Sequence, residues 1–478
     1  MKSVAIFGSP GTGKSTRLIR IIGDLLEKFD PRKVCLVSFT RAAAEEMAER
    51  IPHKIQTSTI HSMCFRMLDM QRSMVVDRRS LIEFGKEIGL EISWGSAQDE
   101  ASEMTEGDEY VSIYDLARNR KISLEETYAK KGTLGSYDRF AYFVESYENW
   151  KKEYGLADFT DMLQNVISLN LTPFLEVLLV DEAQDLSPLQ WDVVNSWCKY
   201  LRICYIAGDD DQAIFEWSGA DPQGMVKFSE KYESKVVVLD QSWRLPKVVH
   251  ELADKTIHII DDRLEKVYKP QPREGEIHRY SDFGQVVHTI DPEDDTLLLY
   301  RNHSLRKDIE DQLMSSGVPY LVDNGKPSPF EGRYGKMVLN WQRLQDGRSL
   351  KPSDVKAIVE NSKLKIRNND VSTLLNTSWR DVFKDHWWGV YNYFDMVERR
   401  GNTLLEAYES CNLHLSTIHG AKGREADRVI LINGMGTITA DAYSEDRDGE
   451  VRVFYVGVTR VKRRLDIVLG QHPVEFLL

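Results

Sequence analysis

The chain has 478 residues, long enough for about three domains of ordinary size, and a formal charge of −13 from 62 basic and 75 acidic side chains. That balance disfavours a protein that coats nucleic acid nonspecifically, although it leaves room for a locally basic channel. No apolar run approaches the ~20 residues of a membrane span and the N-terminus enters strand-like text directly, so a cytoplasmic protein with no membrane partner is expected. Cys35, Cys64, Cys198, Cys204 and Cys411 form no C-x-x-C pair, which points to reduced core residues rather than a zinc or iron-sulfur site.

Val4 to Phe7 reads as an apolar strand running into Gly8-Ser9-Pro10-Gly11-Thr12-Gly13-Lys14-Ser15, which fits G-x-x-x-x-G-K-[ST] at every required position. The glycines admit conformations that turn successive backbone N–H groups toward a phosphate, and the following helix adds its positive end. Lys14 is placed to reach the β and γ phosphates of a nucleoside triphosphate and Ser15 to hold magnesium. Leu18 to Phe29 has helical spacing and stops at Asp30-Pro31, Val34 to Phe39 reads as a buried parallel strand, and Arg41 to Arg50 as a helix. This alternation predicts an α/β domain with a parallel sheet.

From about Met70 to Tyr154 the text turns polar and helical, which reads as an insertion, with the acidic run Asp99 to Glu109 expected to be a solvated loop. Strands return at Glu176 to Val180 and Ile203 to Ala207, each followed by acidic residues: Asp181-Glu182 and Asp209-Asp210-Asp211-Gln212. In open parallel sheets such positions border the ligand. Asp181 and Glu182 supply the carboxylates that a phosphate loop lacks, one to hold magnesium and one to orient and deprotonate water.

A second α/β unit is expected to begin near Lys235, with strands at Val236 to Leu239, Thr296 to Tyr300, Leu413 to Thr417, Val429 to Ile432 and Leu465 to Leu469. A second helical insertion, about Ser349 to Ser410, carries the aromatic run His386 to Phe394; it reads either as a duplex contact through Trp387-Trp388 or as a small core. Asp441 to Glu450 is expected to be another solvated acidic loop.

Taken together, the stretches resemble the UvrD, Rep and PcrA group of DNA helicases in helicase superfamily one. They are GSPGTGKST near the start, SFTRAAAEEMAER from Ser38, TSTIHSMC from Thr57, LADFTDML from Leu156, LLVDEAQD from Leu178, AGDDDQAIFEWSGAD from Ala207 and LDQSWR from Leu239. LLLYRNHSLRKDIEDQLMSSGVPY from Leu297, LSTIHGAKGREADRVILI from Leu415 and VFYVGVTRVKRRL from Val453 continue the match in family order. The resemblance implies two RecA-like parallel-sheet P-loop cores, each interrupted by a mainly helical insertion: residues 1–69 and 155–234 with insertion 70–154, then 235–348 and 411–478 with insertion 349–410. It implies an ATP-dependent, monomeric motor on single-stranded DNA and its junctions with duplex, moving 3′ to 5′ in repair, replication or recombination, in the cytoplasm at the nucleoid.

The resemblance also implies roles for matching positions. Gly8, Gly11, Thr12, Gly13, Lys14, Ser15, Thr16 and Arg17 hold ATP, with Mg2+ on Ser15 and Asp181. Glu182 serves the hydrolytic water and Gln212 senses the γ phosphate. Arg244 and Arg460, both expected from the second core, act as arginine fingers when the cores close. Trp243 stacks on adenine and Glu425 contacts the ribose. Phe39, Thr40, His61, Phe215, Trp217 and His419 meet the nucleic acid, through base stacking and polar contact; core packing is the alternative for the aromatics and a satisfied polar group for the histidines.

Three departures carry expectations of their own. Only seven residues precede Gly8, where the family reads adenine upstream, so weaker discrimination among nucleoside triphosphates is expected. Ser218 replaces a family arginine, and the second insertion is short, which leaves open a translocase that strips proteins without unwinding. A small-molecule phosphotransferase explains the phosphate loop but not the aromatic stretch or the late arginines, and an inactive structural subunit does not fit so complete a set of competent residues.

Overall fold

Two six-stranded sheets, all of whose strand pairs are parallel, organise the computed structural model. It describes residues 1–52, 54–93, 104–260, 263–323, 325–363, 377–383, 388–445, 447–469 and 476. One unit comprises Met1–Glu274 and Asp441–Thr459, the other Gly275–Ala440 and Arg460–Leu478. Among the described residues no helix is long and apolar enough to cross a membrane.

The first unit holds β1 (Lys2–Gly8), β2 (Val34–Val37), β3 (Gln56–Ser58), β4 (Val177–Val180), β5 (Ile203–Gly208) and β6 (Lys235–Leu239) in the order β3-β2-β4-β5-β1-β6. Every residue of β2 and β4 is buried, as continuous Val/Leu text requires of parallel strands covered on both faces. Helix α1 (Lys14–Leu26) seats Leu18, Ile22 and Leu25 against Ile6, Leu36 and Leu179 on one face. On the other, Met162, Leu163 and Trp197 pack on Phe7, Val37 and Val180. The carboxyl ends of β1, β4 and β5 therefore share one edge of the sheet, the edge at which ligands bind in this architecture.

β6 corrects the expected boundary. It pairs in parallel with β1, Val4 opposite Lys235 and Gly8 opposite Leu239, so it is the edge strand of the first sheet rather than the opening of the second unit. An apolar run states that a strand forms, not which sheet receives it. The edge position also leaves Val236 51% and Val238 43% exposed. The first unit continues to Glu274, and it takes back the helix Arg447–Val458, which packs on the helix Lys247–Ile257. Arg452 pairs there with Glu216 at 3.0 Å.

The insertion at 70–154 is helical as expected, with helices Arg78–Glu87, Glu106–Arg120, Leu124–Lys131 and Tyr137–Tyr154 around an aromatic core that includes Phe84, Tyr110, Tyr114, Phe140 and Phe143. Its acidic run is only partly a solvated loop. Residues 99–103 lie outside the described residues, whereas Asp108 and Glu109 are buried in the first turn of a helix. Glu109 accepts from the backbone N–H groups of Thr133 and Leu134 at 2.9 and 2.8 Å, and Asp108 from Thr105 and Ser93, so both carboxylates tie loops to the helix start. The later run, Asp441 to Glu450, likewise falls mostly within helices Thr437–Glu445 and Arg447–Val458.

The second unit holds β7 (Glu276–Tyr280), β8 (Thr296–Tyr300), β9 (Leu321–Val322), β10 (Leu413–Thr417), β11 (Ala426–Ile432) and β12 (Val461–Val468), ordered β7-β12-β11-β8-β10-β9. Sequence patterning misses β3, β7 and β9 because they are short or polar edge strands: QTS, EIHRY and LV. Around residues 349–410, Trp379, Tyr393 and Phe394 are buried in one core with Phe330 and Trp341. Trp387 and the side chain of Trp388 lie outside the described residues.

Candidate nucleotide site and nucleic-acid groove

The phosphate loop is built by backbone demands that only glycine meets cheaply. Gly11 and Gly13 take φ of +72° and +82°, and Gly13 caps α1 in the left-handed region. A Cβ on Gly11 would collide with Arg244 and Ser242, which shows how closely another segment lies on the loop. Thr12 ties the loop to itself by donating from its hydroxyl to the Ser9 carbonyl at 2.8 Å. Lys14 Nζ donates to the Gly8 carbonyl at 2.8 Å, so its ammonium stays within the loop. Thr16 and Arg17, in the first turn of α1, are exposed; Arg50 donates to the Thr16 hydroxyl at 3.2 Å.

The segment lying on the loop is Ser242-Trp243-Arg244. Ser242 Oγ donates to the Pro10 carbonyl at 2.8 Å, and the Trp243 N–H to the Gly11 carbonyl at 2.9 Å. The Trp243 indole remains 73% exposed beside the loop, a flat surface with one face open for a base. Arg244 donates from Nη1 to the Thr459 carbonyl at 3.3 Å. Arg244 and Trp243 thus belong to the same unit as the phosphate loop, which corrects their expected origin in the second core; the cause is the placement of β6, whose carboxyl end delivers them.

Asp181 and Glu182 follow β4. Ser15 Oγ donates to Asp181 Oδ2 at 3.0 Å, bringing a hydroxyl and a carboxylate oxygen together. Burial, reinforced by the Glu182 charge, pushes the Asp181 carboxyl up to about 7. These hard oxygen donors with surplus negative charge fit a magnesium ion. Glu182 has a φ of +51°, unusual for a residue with a side chain.

From Glu182 a chain of hydrogen bonds leads to the next strand end. Gln184 Nε2 donates to Glu182 Oε2 at 2.6 Å while its Oε1 accepts from the Asp209 N–H at 3.1 Å. Gln212 Nε2 then donates to Asp209 Oδ2 at 2.6 Å. Asp209 is one of the acidic residues expected to border the ligand, whereas Gln184 carries no local sequence signal, because a buried amide that links two loops looks like any polar residue. Beneath them Lys266, fully buried, pairs with Asp209 at 3.2 Å, with Asp211 at 3.0 Å and with Asp210, and Arg263 pairs with Asp211 at 2.8 Å.

Three residues after Gln212 the aromatic stretch begins. Phe215 stacks on Phe39 with ring centroids 5.1 Å apart, and Trp217 meets Phe215 edge-on at 6.4 Å. His61 meets Phe159 edge-on at 5.6 Å, and burial lowers its pKa to about 4, so the ring is neutral near pH 7. Phe39, His61, Phe159 and Trp217 line one groove of about 530 Å3 whose opposite wall is the insertion helix Glu106–Arg120. Phe159, within LADFTDML, joins this lining although the resemblance assigns it no role. Thr40 lies outside the groove's lining and uses its hydroxyl to cap the helix Arg41–Arg50, accepting from the Ala43 N–H at 3.1 Å.

The remaining predicted residues are carried by the second unit. The Arg460 carbonyl accepts from the Ala426 N–H at 3.0 Å and its guanidinium donates to the Arg424 carbonyl at 3.4 Å, which sets Arg460 beside the segment holding Glu425. Glu425 is exposed and pairs with Lys462 at 3.3 Å. His419 is buried after β10.

A parallel sheet with a phosphate loop at the end of β1 and an acidic pair at the end of β4, two strands away, defines a P-loop nucleoside triphosphatase core. The family model described as the UvrD/REP helicase N-terminal domain matches residues 1–233, and that of the UvrD-like helicase C-terminal domain matches residues 400–472. The two matches together span well over half of the chain, which belongs to the UvrD-like helicase family. YjcD of Bacillus subtilis (strain 168) is 25% identical over 376 residues, 70% of this chain and 48% of its own. The ATP-dependent DNA helicase PcrA of Staphylococcus epidermidis (strain RP62A) is 25% identical over 356 residues, 67% of this chain and 49% of its own. That of Staphylococcus aureus (strain Mu50) is 25% identical over 374 residues, 71% and 51%. The chain spans about half the length of these curated relatives. The solved structure of PRRSV helicase aligns with 98% of this chain and 52% of its own at 8% identity and a TM-score of 0.36, too low to show a shared fold.

Proposed function

We propose that the protein is an ATP-dependent DNA helicase that moves along single-stranded DNA, with the 3′ to 5′ direction carried by the family resemblance. One observation supports it above the others. The hydrogen-bonded series Glu182, Gln184, Asp209, Gln212 leads from the candidate hydrolytic base to the segment that carries Phe215 and Trp217. A change at the nucleotide therefore has a short covalent and hydrogen-bonded route to the aromatic groove.

In this reading the loop N–H groups and Lys14 hold the phosphates, Trp243 stacks on the base, and Arg244 adds positive charge beside the loop. Ser15 and Asp181 would hold Mg2+, which when bound supplies charge neutralisation to the β and γ phosphates. Glu182 takes the proton of the attacking water, and Gln212 reports the γ phosphate to Phe215. Arg460 and Glu425 are assigned to nucleotide and His419 to DNA on the resemblance. Phe39, Phe215, Trp217, His61 and Thr40 receive the strand, the aromatics by stacking at ~1–3 kcal/mol per base.

The test is steady-state ATP hydrolysis with and without single-stranded DNA, followed by strand displacement on matched 3′-tailed and 5′-tailed duplexes. Stimulated hydrolysis with release from the 3′-tailed substrate is the expected result. Hydrolysis indifferent to DNA would falsify the motor; stimulated hydrolysis without release identifies a translocase instead.

A further inference from the structure

The groove that the aromatic side chains line has a second, polar wall. It includes Asp115, on the helix Glu106–Arg120. Cations are close by, but they are committed elsewhere: Arg118 donates to Asp158 at 2.9 Å and to Asp161, and Lys151 to the same two carboxylates at 2.7 Å each. The Asp115 carbonyl accepts from Asn119, yet among the described residues no donor reaches the Asp115 carboxylate. The same groove holds Gln190, whose Oε1 accepts from the Ser187 N–H at 2.9 Å, while among the described residues its Nε2 has no acceptor. A carboxylate that accepts and an amide that donates thus line a cavity walled by Phe39, His61, Phe159 and Trp217.

From this we infer that the groove selects bases bearing an exocyclic amine, with Asp115 as the specificity-determining residue that accepts from the N4 amine of cytosine. The inference rests on the reading of the groove as the path of a DNA strand. Flat walls accept any base; a lone carboxylate does not. It accepts from the cytosine amine and faces only a carbonyl oxygen at the equivalent position of thymine, a mismatch of acceptor against acceptor. Gln190 Nε2 supplies the matching donor for the ring acceptors of cytosine. Oligothymidine and oligodeoxycytidine are the first pair to compare, since both are pyrimidine strands and thymine carries a carbonyl oxygen in place of the amine, together with its N3–H and C5 methyl.

The experiment is fluorescence-anisotropy binding of the full chain to labelled oligodeoxycytidine and oligothymidine of equal length at pH 8, where the carboxylate is ionised. Wild type is expected to bind oligodeoxycytidine about tenfold more tightly, the usual size of one well-placed base contact. Asp115→Asn presents donors as well as an acceptor and is expected to abolish the difference. A second arm leaves the protein untouched: N4,N4-dimethylcytosine in the strand removes both donors and is expected to lower affinity to that of oligothymidine. Equal affinity for the two parent strands, a preference that persists in Asp115→Asn, or full binding of the dimethylated strand each overturns the inference. Binding to no single strand at all overturns the reading of the groove itself, a separate outcome.

Discussion

The Trp243 N–H donates to the Gly11 carbonyl at 2.9 Å, fastening the residues that follow β6 onto the phosphate loop. With Ser242 bonded to Pro10 at 2.8 Å, this sets the positions of Trp243 and Arg244 relative to the loop before any nucleotide arrives. Arg244 is then a preorganised charge of the first unit, whereas Arg460 lies in the second.

Gly11→Ala tests that junction. The added Cβ meets a φ of +72° and collides with Arg244 and Ser242, so the loop or the clamp must shift. ATP affinity, measured by fluorescence titration, is expected to fall about tenfold or more, since misplacing a positioned phosphate contact costs on that scale. Ser242→Ala removes the hydroxyl donor to Pro10 and leaves a buried carbonyl short of a partner. It is expected to cost about 1–3 kcal/mol in thermal unfolding and to raise KM for ATP; an unchanged KM would separate the clamp from nucleotide binding.

The phosphate loop could be read from sequence because each position answers a local demand: glycine where φ is positive, lysine and serine at fixed offsets. The parallel sheets were legible for the same reason, since VCLV and VLLV are buried on both faces. What stayed hidden depends on distant pairing. Whether Val236–Leu239 joins β1 or another sheet is decided by partners far away in sequence, and the unit that carries Arg244 is decided with it. Asp115 reads as a polar position on a helix; only the engagement of Arg118 and Lys151 by Asp158 and Asp161 leaves its carboxylate without a donor. Asp108 and Glu109 look solvated in an acidic run, yet they hold neighbouring loops to a helix start.

Glu182→Gln is expected to lower kcat by about 10²–10⁴-fold while leaving nucleotide binding nearly intact, because it removes the proton acceptor but not the shape of the site. Gln184→Leu makes a finer distinction. It cuts both the bond to Glu182 at 2.6 Å and that to Asp209 at 3.1 Å without touching the phosphate loop. Basal hydrolysis is expected to fall less than its stimulation by DNA; an equal loss of both would mean that Gln184 only orients the base.

Lys266→Met leaves Asp209, Asp210 and Asp211 buried with Arg263 as the remaining cation of this cluster. Removing one partner from a buried ionic cluster costs about 3–5 kcal/mol. Asp211 makes the loss pH-dependent: burial would raise its pKa, but Arg263 and Lys266 outweigh burial and hold it below the usual carboxylate value. A depressed folded pKa contributes stability above the unfolded value and loses it as pH falls. Wild type is therefore expected to exceed Lys266→Met in thermal midpoint most at neutral pH, with the gap narrowing below about pH 4.

Asp115 gives the opposite sign. Burial, aided by the Asp158 charge, pushes its carboxyl up to about 7 against the opposing pull of Arg118 and Lys151. Below about pH 4 both folded and unfolded states are protonated and the residue contributes no pH-dependent term. As pH rises, the unfolded chain ionises first and binds fewer protons than the folded one, so stability falls until the folded carboxyl has also ionised above about 7. Asp115→Asn removes this titration while Asp158, Asp161, Arg118 and Lys151 remain in both proteins. Its thermal midpoint is expected to exceed that of wild type clearly at pH 8 and by a smaller margin at pH 5. A constant margin across that range would mean that Asp115 is solvated or paired in solution. The stability forgone at pH 8 is then the cost of keeping an unpaired carboxylate in the groove, where the same charge is available to a cytosine amine.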